Sequence, residues 1–264
     1  MDVIDQVVEK GVVERRFDLK AGDEVVPGIL WSPEGATGPR PTVLIGHGGT
    51  QHKRAPNVVG LARRFVRHLG YAAVALDAPG HGDRIVDQQA ADEQRKALEA
   101  RVAAGRRQGK AVPMEMTGEA AKAWVERTSR GVAEWKTLVD ELANVPEVGT
   151  GPYGYWGVSM GTAIGLPFVA AEPRISAAVL GLAGLNNRPG GDRFEEAARS
   201  LSIPILFVFQ WHDELMTRES GMALFDAIGS KEKTMHVNPG GHVETPLFER
   251  DDYEAFFLRH LGKG

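Results

Sequence analysis

A serine flanked by glycines, Gly157-Val158-Ser159-Met160-Gly161, stands where the apolar run Tyr153 to Val158 meets a second one, Met160 to Ala171. A serine hydroxyl is a weak nucleophile at neutral pH and needs a base within hydrogen-bond reach. Candidates for that base and for an acid behind it follow downstream. Asp213 lies in Gln210-Trp211-His212-Asp213-Glu214-Leu215, and His242 in Asn238-Pro239-Gly240-Gly241-His242. Imidazole titrates near neutrality, so His242 can take the serine proton and return it to a leaving group. A carboxylate at Asp213 would fix the ring tautomer and stabilise the imidazolium. Glu214 competes with Asp213, and His236 with His242, although His236 falls inside a predicted strand. Attack on a carbonyl creates an oxyanion that needs preorganised donors. The backbone N–H of Met160 is one. The second is expected from Gly46-His47-Gly48-Gly49-Thr50, at Gly49, with Thr50 as runner-up. With 32 glycines and 8 serines in 264 residues, chance alone yields about 0.1 such pentads per chain, so the reading rests on the partners.

Those residues can meet only if the surrounding elements bring them together. Val12 to Leu19 and Glu24 to Trp31 read as an antiparallel hairpin about Ala21-Gly22-Asp23. Short continuous apolar runs at Thr42 to Ile45 and Tyr71 to Leu76 suit strands buried on both faces of a parallel sheet. Between them Asn57 to Leu69 is helical, closed by Gly70. The alternation resumes with strands at Tyr153 to Val158, Ile175 to Leu180, Ile203 to Phe209 and Thr234 to Val237. Helices are predicted at Met160 to Ala171, Asp192 to Leu201, Arg218 to Ile228 and Leu247 to His260. Strands alternating with helices predict one α/β domain, residues 1–264, with a doubly wound, mostly parallel sheet. Residues 84–117 break the rhythm. Helical propensity over Asp87 to Arg107, ahead of a second helix at Gly118 to Asn144, predicts a helical insertion and a possible cap after the fourth strand. In such a sheet ligands sit beyond the carboxyl ends of the strands, and Ser159, Asp213 and His242 each follow one.

Bulk composition narrows the alternatives. Hydrophobic residues make up 42% and charged residues 25% of the chain, with a formal net charge of −4; no basic field points to nucleic acid or an anionic membrane. Without cysteine, thiol catalysis, disulfides and cysteine-ligated zinc are excluded. His47, His52, His81 and Asp83 match no recognised metal spacing, and His47 and His81 are expected to bond backbone in their loops. No nucleotide fingerprint is present, so neither a metal nor a cofactor is expected. The N-terminal segment lacks the apolar core of a signal peptide, no run is long enough to span a bilayer, and a cytoplasmic location is the expectation.

The pentad, the His-Gly-Gly loop, the stretch Asp77-Ala78-Pro79-Gly80-His81-Gly82 and the order serine, aspartate, histidine together resemble the α/β-hydrolase fold family over nearly the whole length. The chain is most similar to the dienelactone-hydrolase-like and small carboxylesterase branches. It departs from dienelactone hydrolases in carrying serine, not cysteine, as nucleophile, and from many lidded members in placing its extra helix after the fourth strand. The resemblance implies a serine esterase acting on a small-molecule ester through an acyl-enzyme. The same parts would serve hydrolysis of an amide, thioester, lactone or C–C bond, or acyl transfer; a non-catalytic ligand receptor on this scaffold is the reading from another class. Pocket candidates are Met160, Trp211, His212, Leu182 and Leu185, with Val112, Met114 and Met116 from the insertion. Oligomeric state is not legible.

Overall fold

A computed structural model describes residues 1–185 and 189–264. A single nine-stranded sheet runs through it: β1 (Asp2–Glu9), β2 (Val12–Ala21), β3 (Glu24–Pro33), β4 (Thr42–Gly46), β5 (Ala72–Leu76), β6 (Tyr153–Val158), β7 (Ile175–Gly181), β8 (Ile205–Gln210) and β9 (Lys233–Asn238), in the order β1-β2-β3-β5-β4-β6-β7-β8-β9. The first three strands and β5 pair antiparallel, and β5-β4-β6-β7-β8-β9 pair parallel. Each of β4 and β5 is a five-residue run buried throughout, because helices cover both faces.

Alternate side chains feed two cores. Val43 and Ile45 join Val58, Leu61 and Phe65 of α1 (Pro56–Leu69) and Tyr253, Phe257 and Leu261 of α7 (Glu249–Leu261) on one face. Leu44 and Tyr155 face the other layer. That layer holds Trp135 and Leu138 of α3 (Gly118–Leu142), Ile164 and Phe168 of α4 (Met160–Ala171), Phe194 of α5 (Gly191–Ser200) and Leu224 of α6 (Arg218–Ala227). The apolar stripe of α1 closes at Gly70, whose φ of 71° is the left-handed conformation glycine adopts without strain. The insertion supplies α2 (Gln88–Gln108), N-capped by Asp87, which accepts a bond from Ala90 N.

One element escapes the sequence reading. β1 precedes the predicted hairpin, so the insertion follows the fifth strand of the chain rather than the fourth. All eight of its residues are exposed, and a register shift between Val3 and Asp5 interrupts its pairing with β2. An edge strand with no buried face has no reason to alternate apolar with polar residues, and Asp2-Val3-Ile4-Asp5-Gln6-Val7-Val8-Glu9 does not. Among the described residues no helix is long and apolar enough to cross a membrane.

Candidate active site

Ser159 sits at the turn from β6 into α4 with φ 59° and ψ −117°, a left-handed conformation costly for any residue with a Cβ. Two close approaches hold that turn. A Cβ on Gly161 would stand 2.4 Å from the Gly46 carbonyl oxygen, and one on Gly157 2.9 Å from the Gly161 backbone. Gly161 thus lets the turn pack against the end of β4, and Gly157 lets the turn fold closely onto itself and the Tyr155 ring. Ser159 N–H donates to the Gly181 carbonyl at 2.9 Å, tying the turn to the end of β7, and Thr162 Oγ1 accepts from Gly181 N–H at 2.8 Å beneath it. The buried Tyr155 hydroxyl donates to the Gly161 carbonyl at 2.8 Å.

His242 Nε2 lies 2.9 Å from Ser159 Oγ, and His242 Nδ1 lies 2.7 Å from Asp213 Oδ2. Asp213 and His242 are both buried. The other oxygen of Asp213 accepts Leu215 N–H at 2.8 Å and Met216 N–H at 2.9 Å, so the direction of the carboxylate is set. An ionised carboxylate can only accept. A neutral ring facing it therefore carries its proton on Nδ1 and presents the Nε2 lone pair to the serine. Glu214 takes a different part: its Oε2 accepts the backbone N–H of His242 at 2.7 Å and its Oε1 accepts Arg106 Nε at 2.6 Å. Burial raises its pKa, but Arg106 and the His242 N–H hold it below the usual carboxylate value. His236 lies apart, with Nδ1 3.0 Å from Glu249 Oε2.

Met160 is the first residue of α4, so its N–H is one of the donors a helix start leaves without an intrahelical partner. Gly49 is half-buried in the loop after β4, and its N–H has no acceptor among the described residues. Thr50 beside it is exposed, with φ 59°. The loop is anchored by His47, whose Nε2 accepts Ala78 N–H at 3.0 Å while Nδ1 lies 2.8 Å from the Gly48 carbonyl. Only a neutral ring with its proton on Nδ1 satisfies both contacts. Burial holds that ring neutral by pushing its pKa down to about 4. His81, also lowered by burial, points Nδ1 at the Pro79 carbonyl, 3.1 Å away. Both histidines bond backbone, as their loops suggested.

Sequence reasoning missed the ion cluster that ties these loops together. Lys53 Nζ lies 2.6 Å from both Asp77 Oδ2 and Asp83 Oδ2, with the Lys53 and Asp77 side chains 3% and 0% exposed. Asp77 also accepts the N–H groups of Lys53 and Asp83. Arg84 then bridges to Glu134 of α3 through two bonds of 2.8 Å. A lysine in Gln51-His52-Lys53-Arg54 gives no local sign that it is buried.

The pocket candidates scatter in exposure. Leu182, directly after β7, is buried, and Leu185 is half-buried. Trp211 and His212 are exposed, the indole carrying the Arg218 guanidinium 4.1 Å above its ring. Met114 is exposed, Met116 and Val112 half-buried, and Val112 N–H donates to the Glu214 carbonyl at 2.7 Å. That bond brings the insertion to the loop carrying Asp213.

No protein-family model and no curated protein matches the chain. Solved structures do. A PEG-bound cold-adapted esterase from an Arctic intertidal metagenomic library is 31% identical over 99% of this chain and 100% of that one, with a TM-score of 0.79. A dienelactone hydrolase from Anabaena variabilis ATCC 29413 superposes with a TM-score of 0.65 at 17% identity, covering 95% of this chain and 99% of its own. An acetyl xylan esterase from Paenibacillus sp. R4 reaches 0.71 at 14% identity, covering 98% and 88%. The last two share the fold.

Proposed function

Because the chain belongs to the α/β-hydrolase, dienelactone-hydrolase-like esterase family, we propose that it is a carboxylic ester hydrolase that works through an acyl-enzyme on Ser159. The observation that carries this reading is the unbroken relay from Ser159 Oγ through His242 to Asp213, two contacts of 2.9 and 2.7 Å. His242 Nε2 takes the hydroxyl proton as Oγ attacks the ester carbonyl. The N–H groups of Met160 and Gly49 receive the oxyanion. His242, now imidazolium and stabilised by Asp213, protonates the departing alcohol. Water then repeats the sequence on the acyl-Ser159 ester and regenerates the serine.

The substrate is a small-molecule ester. Leu182 and Met160 would meet its acyl group as buried apolar surface, with Leu185 behind them. Trp211, His212, Met114 and Met116 would form the rim, the last two as part of a cap-like insertion over residues 84–117.

Initial rates on p-nitrophenyl esters of increasing acyl length, wild type beside Ser159→Ala, test the reading. Wild type should turn over, with a chain-length optimum that sizes the acyl site. Ser159→Ala should lose roughly 10⁴-fold or more in kcat. Equal rates in both proteins would overturn the assignment of the nucleophile.

A further inference from the structure

The catalytic histidine sits on a segment ill-suited to hold anything still. Two glycines, Gly240 and Gly241, precede His242, and glycine retains the most backbone freedom of any residue. Yet the imidazole must face Ser159 and Asp213 at once. Two carboxylates stiffen the segment by taking consecutive backbone donors. Glu244 Oε2 accepts Gly241 N–H at 2.8 Å, and Glu214 Oε2 accepts His242 N–H at 2.7 Å. The second oxygen of each carboxylate goes to one guanidinium: Arg106 Nε to Glu214 at 2.6 Å and Arg106 Nη2 to Glu244 at 2.7 Å. Space is matched as closely as charge. A Cβ on Gly241 would stand 2.4 Å from Glu214 Oε1, so the carboxylate lies directly on the glycine backbone.

Arg106 comes from the last turn of α2, and α2 has little else to do there. Of its 21 residues only Gly105 is buried, and a Cβ on Gly105 would stand 2.6 Å from Glu214 Cβ. From within the helix, Arg101 Nε and Nη2 both bond the carbonyl of Val112 just beyond it, while Val112 N–H donates to the Glu214 carbonyl. The buried end of the insertion therefore converges on Glu214, one residue from Asp213. The exposed remainder of the helix explains none of this.

We propose that Arg106 is a positioning residue for the hydrolytic reaction: α2 delivers its guanidinium as a clasp across Glu214 and Glu244, and the two carboxylates hold the Gly241–His242 backbone so that the imidazole stays aimed at Ser159. The proposal rests on the esterase reading and gives the insertion a second task besides covering the site. Arg106 is the one cation within ion-pair distance of Glu214 among the described residues, so it sets the direction in which that carboxylate is held. Arginine suits the part because its planar fork presents separate N–H groups to two acceptors, which a lysine ammonium on a flexible stem does not do in fixed directions. The Arg106 side chain is 51% exposed, so the ion pairs themselves add little to global stability. Their effect falls on geometry.

That separation makes the test sharp. Steady-state kinetics on p-nitrophenyl acetate and thermal unfolding midpoints are measured for wild type, Ser159→Ala, Arg106→Ala, Arg106→Lys and Gly105→Ala. Arg106→Ala should lower kcat by about tenfold, since small misplacements of a reacting group cost rate steeply, while KM and the unfolding midpoint stay close to wild type. Arg106→Lys should recover part of kcat. Gly105→Ala, a change that favours an isolated helix, should instead lower kcat by lifting the turn off Glu214. Wild-type kcat in Arg106→Ala, or a loss of kcat matched by a fall of several degrees in its midpoint, would overturn the clasp while the esterase reading stood. Turnover unaffected by Ser159→Ala would overturn the reading itself, and the clasp with it.

Discussion

Ser159 holds φ 59° and ψ −117°, and the strain is sustained because the residues around it leave no room to relax: Gly161 lies against the Gly46 carbonyl and Ser159 N–H is fixed to Gly181. At the same scale the acidic pair Asp213 and Glu214 divides by direction. Asp213 aims one oxygen at the ring and spends the other on Leu215 and Met216 N–H groups. Glu214 faces the backbone of His242. A substitution that preserves shape but alters proton affinity separates their roles. Asp213→Asn would present an amide to the ring and favour the wrong tautomer, so kcat should fall by roughly 10³–10⁴-fold with the fold intact. Circular dichroism beside the kinetics checks both halves. Retained turnover in Asp213→Asn would move the acid's part to Glu214.

Elements are held in register by contacts that cross them. The loop after β4 and the loop after β5 meet at Lys53, whose ammonium lies between Asp77 and Asp83. The buried Asp77 carboxylate is the costly member, and Lys53 offsets its desolvation. Removing one partner of such a pair leaves a charge unpaired in the interior. Lys53→Met should therefore destabilise the protein by about 3 kcal/mol, read as a drop in urea midpoint at unchanged slope. It should also reduce turnover, because the same loop carries His47 and Gly49. A variant as stable as wild type would show that Asp77 is satisfied by the backbone N–H groups of Lys53 and Asp83 alone.

For the whole molecule, His47 couples folding to pH. Its folded pKa is lowered by burial from 6.5 to about 4. The unfolded chain therefore takes up a proton near pH 6.5 that the folded chain refuses until about pH 4. Stability from this group is complete above pH 6.5 and declines as pH falls towards 4, by about 3 kcal/mol in all. His81 has the same sign. Below that window the lowered carboxylates take over: Asp83 beside Lys53, Glu172 beside Arg174, and Glu214 beside Arg106. Their contribution is present above the ordinary carboxylate pKa and lost as pH falls through the folded value. Urea unfolding from pH 7.5 to 4.5 should show little change above pH 6.5 and a growing loss below it in wild type, with a shallower loss in His47→Gln. Identical slopes in the two proteins would remove His47 from the account.

Much of this was legible in order along the chain. Buried runs such as Val43-Leu44-Ile45 and the stripe Val58, Leu61, Phe65 declare strand and helix by local periodicity alone, and the polar residues just beyond those runs declare the end of the sheet where chemistry gathers. Residue type and neighbour spacing are properties of a few consecutive positions, so they survive in the sequence. What the sequence left open depends on distance in space. β1 pairs at an edge without burying a face, so no pattern marks it. Lys53 looks like a surface lysine until two loops close over it. Asp213 and Glu214 are adjacent and chemically alike, and only the packing of the His242 segment gives one the ring and the other the backbone. Arg106 reaches Glu214 across 108 positions, from a helix whose composition suggests a solvated surface. The sequence by itself determined the elements that bury a face and which groups could react. The tertiary structure decided which of those groups meet, because the direction of a carboxylate and the burial of a charge are set by neighbours remote in the chain.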